Sequence, residues 1–116
     1  SGGKRDPQQV RVADLGRTES DPMLVKIRTQ LYRHFNFSRD KNRKFRVDAV
    51  FSTEQMVYPK PDGSVCMDKQ FLEAGVKLDC AGGFGSSVMV TGTFGFVAAT
   101  KAIERYLSAQ ENKPAD

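Results

Sequence analysis

The run AGGFGSSVMVTGTFGFVAAT, Ala81 to Thr100, holds twenty residues without a charge, and it constrains this chain more than any other stretch. Twenty apolar residues would be about the length of a membrane span. Half of these are Gly, Ser or Thr, however, and none is Leu or Ile, so the run is too weakly apolar to read as a span. Its first seven residues are mostly turn-formers, and from about Ser86 to Ser108 the sequence reads as one long helix. Gly92, Gly95, Ala99 and Ala102 recur at spacings of three, four and three, lining one helix face with almost no side chain. Each interior glycine costs about 0.5–1 kcal/mol relative to alanine. Such a face therefore predicts a close contact, with a sheet, another helix or a partner, that larger side chains would block. A phosphate loop of the Walker type needs a lysine directly after its glycines, and the next lysine here is Lys101. A dinucleotide loop needs a hydrophobic strand before it, and Lys77-Leu78-Asp79-Cys80 is a poor one. The glycines read as a turn into the helix, with anion binding by its first N–H groups as the alternative.

Ahead of that helix the patterning is that of a small α/β chain. The 116 residues suffice for one domain, expected over residues 1–109, with a polar, disordered tail over 110–116. Val10 to Leu15 reads as a strand. Asp21 and Pro22 suit the cap and first position of a helix predicted from Pro22 to His34, with Leu24, Ile27, Leu31 and Phe35 as its apolar stripe. Lys26, Arg28 and Arg33 lie off that stripe. After a polar connection, Phe45, Val47, Ala49 and Phe51 alternate as in a strand with one buried face. Pro59 to Gly63 is a turn, and Ser64 to Cys80 shows no regular period. Two strands and two helices make a thin core, so the chain is expected to be a piece of something larger or to dimerise.

The formal charge is +4 with a pI near 9.2, which permits an anionic partner without requiring one. Five basic residues, Arg39, Lys41, Arg43, Lys44 and Arg46, crowd into eight positions with one acid, Asp40. This is either a nucleic-acid contact or a solvated turn. With two cysteines, one histidine and no CxxC, neither a disulfide framework nor a zinc or other metal site is expected. The polar N-terminus does not read as a signal peptide, so a reducing cytoplasm is the expected compartment. Cys66, beside the turn, is a candidate nucleophile or sulfur carrier, or an ordinary partly buried cysteine, and Cys80 reads as structural. His34 reads as a helix-end residue, and Glu54 as a strand-end carboxylate or a turn cap.

Longer motifs carry a resemblance. Gly2-Gly3, Asp6-Pro7, Val10 to Leu15, Asp21-Pro22, VDAVFSTEQMVYPKPDGSVC (Val47 to Cys66) and DCAGGFGSSVMVTGTFGFVAATKAI (Asp79 to Ile103) are similar to the C-terminal part of one family. It is the tRNA threonylcarbamoyladenosine dehydratases (TcdA or CsdL), of the E1-like HesA/MoeB/ThiF superfamily. The resemblance implies a fragment of an E1-like, Rossmann-type fold that lacks the nucleotide-binding half. It implies an enzyme that, at full length, uses ATP and magnesium to adenylate the threonylcarbamoyl carboxylate on tRNA and cyclises it with loss of AMP. The fragment alone is expected to be inactive. The missing CxxC pairs agree with a branch without zinc. Implied partners are tRNA, a second copy in a homodimer, and a cysteine desulfurase with its sulfur acceptor, with no membrane. Cys66 matches a family cysteine in a mobile loop near the substrate pocket, where a catalytic role is the tentative expectation. The alternatives are a sulfur-carrier adenylyltransferase, or a non-catalytic tRNA-binding or dimerisation module.

Overall fold

The computed structural model describes residues 1–60, 62–67 and 85–114. The residues 68–84, including Cys80 and the glycine turn Ala81 to Phe84, lie outside them. The elements are β1 (Val10–Asp14), α1 (Pro22–His34), β2 (Asp48–Ser52), β3 (Tyr58–Pro59), β4 (Val65–Cys66) and α2 (Val88–Glu111). A small α/β chain of two helices and few strands was expected from the patterning, and this is what forms.

β1 and β2 pair antiparallel, from Val10 opposite Ser52 to Asp14 opposite Asp48. The alternation from Phe45 predicts a longer second strand, but pairing begins only at Asp48, because the chain at Arg46 takes a left-handed turn at φ 60°. β3 and β4 form a two-residue hairpin in which Tyr58 faces Cys66. Its turn is closed by the Ser64 carbonyl accepting from Lys60 N–H at 2.8 Å, and Gly63 sits at φ 84°, where only glycine is unstrained. Cys66 is thus on a strand, not in the loop expected for it.

α1 begins where its cap dictates: the Asp21 carboxylate accepts from the N–H groups of Met23 and Leu24 at 3.0 and 3.1 Å, and Pro22 has no N–H to satisfy. Its orientation differs from the predicted stripe. Ile27 and Phe35 are exposed, while Arg28 turns inward and donates to the Leu15 carbonyl and the Thr18 hydroxyl. Arg28, expected off the apolar stripe, therefore has a structural role.

α2 lies across the β-ribbon. Val90 is fully buried, and Phe94, Val97 and Lys101 continue the same face at helical spacing. Arg105 extends the contact by clasping the Asp48 carboxylate through two bonds, at 2.7 and 2.9 Å. The small-residue face points elsewhere. A Cβ built on Gly92 or Gly95 would meet nothing within 4 Å, so within the described chain this face packs on neither sheet nor helix. The core among the described residues is correspondingly small: Leu15, Ala49, Phe51, Met56, Tyr58 and Val90 are its buried apolar side chains. The radius of gyration is 17.4 Å, against about 13 Å for a compact chain of this length.

The N-terminal segment is stapled to this frame by charged groups. Lys4 is buried, and its ammonium donates to the carbonyls of Ser52 (2.6 Å) and Ser20 (2.8 Å). Burial pulls its pKa below the ordinary lysine value, with Asp21 and Glu54 opposing that shift. Glu54 accepts from the N–H groups of Arg5 and Asp6, which makes it a backbone clamp, the turn-cap reading of the two open to it.

Candidate nucleic-acid interface

The loop from Asn36 to Val47 carries the basic segment, and it is held at both ends. At its start, Phe35 and Phe37 both donate their N–H to the Leu31 carbonyl, at 3.1 and 3.3 Å. Asn36 between them is left-handed at φ 56°, as is common for the residue that ends a helix. The chain thereby doubles back under α1. Phe37 stacks on Phe45 with ring centroids 5.2 Å apart, and Phe45 meets Tyr32 of α1 at 5.6 Å. The Arg39 guanidinium lies 5.0 Å from the Tyr32 ring centre, over its face. A turn at Asp40 to Arg43 closes the tip, with Asn42 N–H on the Asp40 carboxylate. This is a compact loop packed by its own side chains.

At the far end the anchor is Asp14, the last residue of β1. Its carboxylate accepts from Gly16 N–H at 2.9 Å, Phe45 N–H at 3.0 Å and Arg46 N–H at 2.7 Å. Partial burial pushes this carboxyl up, but the N–H groups of Phe45, Gly16 and Arg46 outweigh it and hold the group below its ordinary value of 3.8. Gly16 is required here for space: a Cβ on it would stand 2.8 Å from the Phe45 ring.

The result is a loop whose backbone is fixed and whose charges are not. Arg39, Lys41, Arg43, Lys44 and Arg46 are all exposed. Apart from Arg39 on Tyr32, none of these cationic heads has a partner among the described residues. With Asp40 deducted, the segment Arg39 to Arg46 carries a net charge of four, which equals the excess of the whole chain. Arg46 takes a backbone conformation that disfavours every residue except glycine and, to a lesser degree, Asn or Asp. Sequence reasoning found the charges but not Asp14, Phe37 or Phe45, because their roles depend on contacts between distant parts of the chain.

The other expected site residues are not gathered with this loop. Cys66 is half-buried on β4 opposite Tyr58. Gly92, Gly95, Ala99 and Ala102 are on the outward side of α2. Among the described residues no three His, Cys, Asp or Glu side chains are grouped to hold a metal ion. Among them, too, no helix is long and apolar enough to cross a membrane.

No family model matches the chain. It is 44% identical over 108 residues to a tRNA threonylcarbamoyladenosine dehydratase of Escherichia coli, a match that covers 93% of this chain and 40% of that protein. Among solved structures, TcdA (CsdL) superposes with a TM-score of 0.79 at 40% identity, covering 97% of this chain and 40% of the other. The E. coli dehydratase in complex with AMP superposes with a TM-score of 0.72 at 36% identity, covering 97% and 37%. The chain thus spans about 40% of the length of these proteins, corresponding to their C-terminal part.

Proposed function

We propose that this chain, the counterpart in sequence and fold of the C-terminal part of the tRNA threonylcarbamoyladenosine dehydratases, is the tRNA-holding part of such an enzyme. In this reading the whole protein adenylates the threonylcarbamoyl carboxylate and closes the ring with loss of AMP, which is chemically a dehydration. The match over 93% of the chain carries the proposal. An AMP complex of one similar protein supports an adenine nucleotide as co-substrate. The described residues contain neither a phosphate loop nor a metal-binding cluster, so no step with ATP or magnesium is assigned to them. Their contribution is binding and orientation of the polyanion through Arg39, Lys41, Arg43, Lys44 and Arg46. Cys66 receives no chemical role, since dehydration needs no thiol.

The outward face of α2 is assigned to a second copy of the protein. Small residues at spacings of three, four and three, left open at Gly92 and Gly95 by the described residues, support this. Isologous contacts of this kind are the commonest route to a dimer.

The test is ATP-dependent cyclisation of threonylcarbamoyl-modified tRNA by the whole protein, with and without alanine at Lys41, Arg43, Lys44 and Arg46. The expected result is a raised KM for tRNA with little change in kcat. Absence of cyclisation by the unaltered protein would reject the enzymatic reading. Unchanged KM in the quadruple variant would reject the loop as the tRNA contact.

A further inference from the structure

Three aromatic side chains are largely exposed among the described residues: Phe35, Phe96 and Tyr106, at 66%, 78% and 64%. Single exposed apolar side chains are common on protein surfaces, so what sets one of these apart is its surroundings. Phe96 and Tyr106 stand on α2 beside the small-residue face, where the nearest cations, Lys101 and Arg105, are paired with Glu104 and Asp48. Their surroundings suit a protein. Phe35 stands in a different field. It caps α1 three residues after Tyr32, and Tyr32 carries the Arg39 guanidinium. It immediately precedes the loop that holds the chain's whole net charge.

We infer that Phe35 is a stacking platform for an unpaired nucleotide, which makes the basic loop a reader of single-stranded RNA and not of duplex. The inference rests on the reading of Arg39 to Arg46 as a nucleic-acid contact and adds the class of structure that contact takes. Three observations converge. First, the backbone that carries the ring is fixed, because Phe35 and Phe37 N–H both close on Leu31 and the chain on either side is held by helix and aromatic stack. Second, the aromatics Phe37, Phe45 and Tyr32 are committed to one another, while Phe35 is exposed and has no ring partner among the described residues. Third, the loop that follows it carries Lys41, Arg43, Lys44 and Arg46, whose cationic heads have no partner among the described residues and would follow a phosphate backbone. An exposed aromatic face together with a basic segment is how proteins hold unpaired bases; a paired base hides its face inside the duplex stack.

The experiment uses the protein as it stands, titrated by fluorescence anisotropy with an unstructured RNA of about fifteen nucleotides and, separately, with a duplex of the same length. Phe35→Leu keeps the apolar volume and removes the π-face. It should weaken single-strand binding by about 5- to 150-fold, as expected for loss of one stacked base. Duplex binding and the slope of affinity against salt should stay unchanged, since no phosphate contact is lost. Phe35→Trp should restore single-strand affinity. Equal affinity of Phe35→Leu and the unaltered protein for the single strand would overturn the inference, as would equal weakening on both RNAs. A change in self-association of Phe35→Leu by sedimentation would overturn it too, by assigning the ring to a protein contact. If neither RNA binds at low salt, the basic-loop reading fails with it; if both bind and only the Phe35 effect is missing, the loop reading stands alone.

Discussion

Arg46→Gly should make the protein more stable and less able to hold tRNA. Arg46 sits at φ 60°, a left-handed conformation that costs a side-chain-bearing residue roughly 1–2 kcal/mol. Glycine adopts it freely but loses about 0.5–1 kcal/mol through the greater freedom of its unfolded chain. The balance favours glycine by about 0.5–1 kcal/mol. Nothing in the fold is forfeited: the bond from this residue to Asp14 uses the backbone N–H, which glycine keeps, and the guanidinium has no partner among the described residues. In a chain of this size the gain raises the melting temperature by a few degrees. The loss appears elsewhere. Each phosphate neutralised by the protein steepens the dependence of log affinity on log salt by about 0.7 for single strands and 0.9 for duplex. Arg46→Gly should make that slope shallower by about this amount, read by titrating labelled tRNA at several salt concentrations. A lower melting temperature would show that the left-handed turn is not the resting geometry. An unchanged slope in a stabilised variant would show that the strain serves something other than a phosphate.

The clamp around this loop gives further expectations. Asp14→Ala removes the acceptor for three N–H groups and should cost about 1–2 kcal/mol in chemical denaturation, as for loss of a helix cap, and weaken tRNA binding. In the unaltered protein the same contribution has a pH signature. The folded carboxyl is held below 3.8, so the stabilisation is complete above that value and is lost as pH falls through the lower folded value. The amide resonances of Phe45 and Arg46 should report that loss only in acid. Gly16→Ala drives a methyl to within 2.8 Å of the Phe45 ring and should destabilise by about 1–3 kcal/mol, while loosening the basic loop enough to raise the KM for tRNA. Lys4→Met strands the buried Ser52 carbonyl and should cost about 1–3 kcal/mol by thermal or urea unfolding, with RNA affinity per folded molecule unchanged.

Local signals were legible where the physics is local. α1 runs from Pro22 to His34 because Asp21 satisfies its first N–H groups and Pro22 needs none, and both facts lie within three residues. The strands at Val10 and Ala49 and the Asp62-Gly63 turn announced themselves in the same way. The facing of each helix was not legible. α1 has apolar residues on more than one side, and which side is inward was settled by Arg28 reaching Leu15 and Thr18. For α2 the period of small residues marked a face, but the face that docks on the ribbon is the one through Val90 and Phe94.

The sequence by itself determined the element order, the family resemblance, and the crowding of the chain's net charge into eight residues, since these depend on neighbours along the chain. Tertiary structure alone decided what that charge is attached to. Asp14 lies more than thirty positions from the N–H groups of Phe45 and Arg46, and no pattern along the chain couples them. Only once β1 and β2 pair is the carboxylate brought to the loop, and only then is the backbone that carries the five cations held in place. A hydrogen bond is decided by distance in space, and distance in space is what folding, not spelling, supplies.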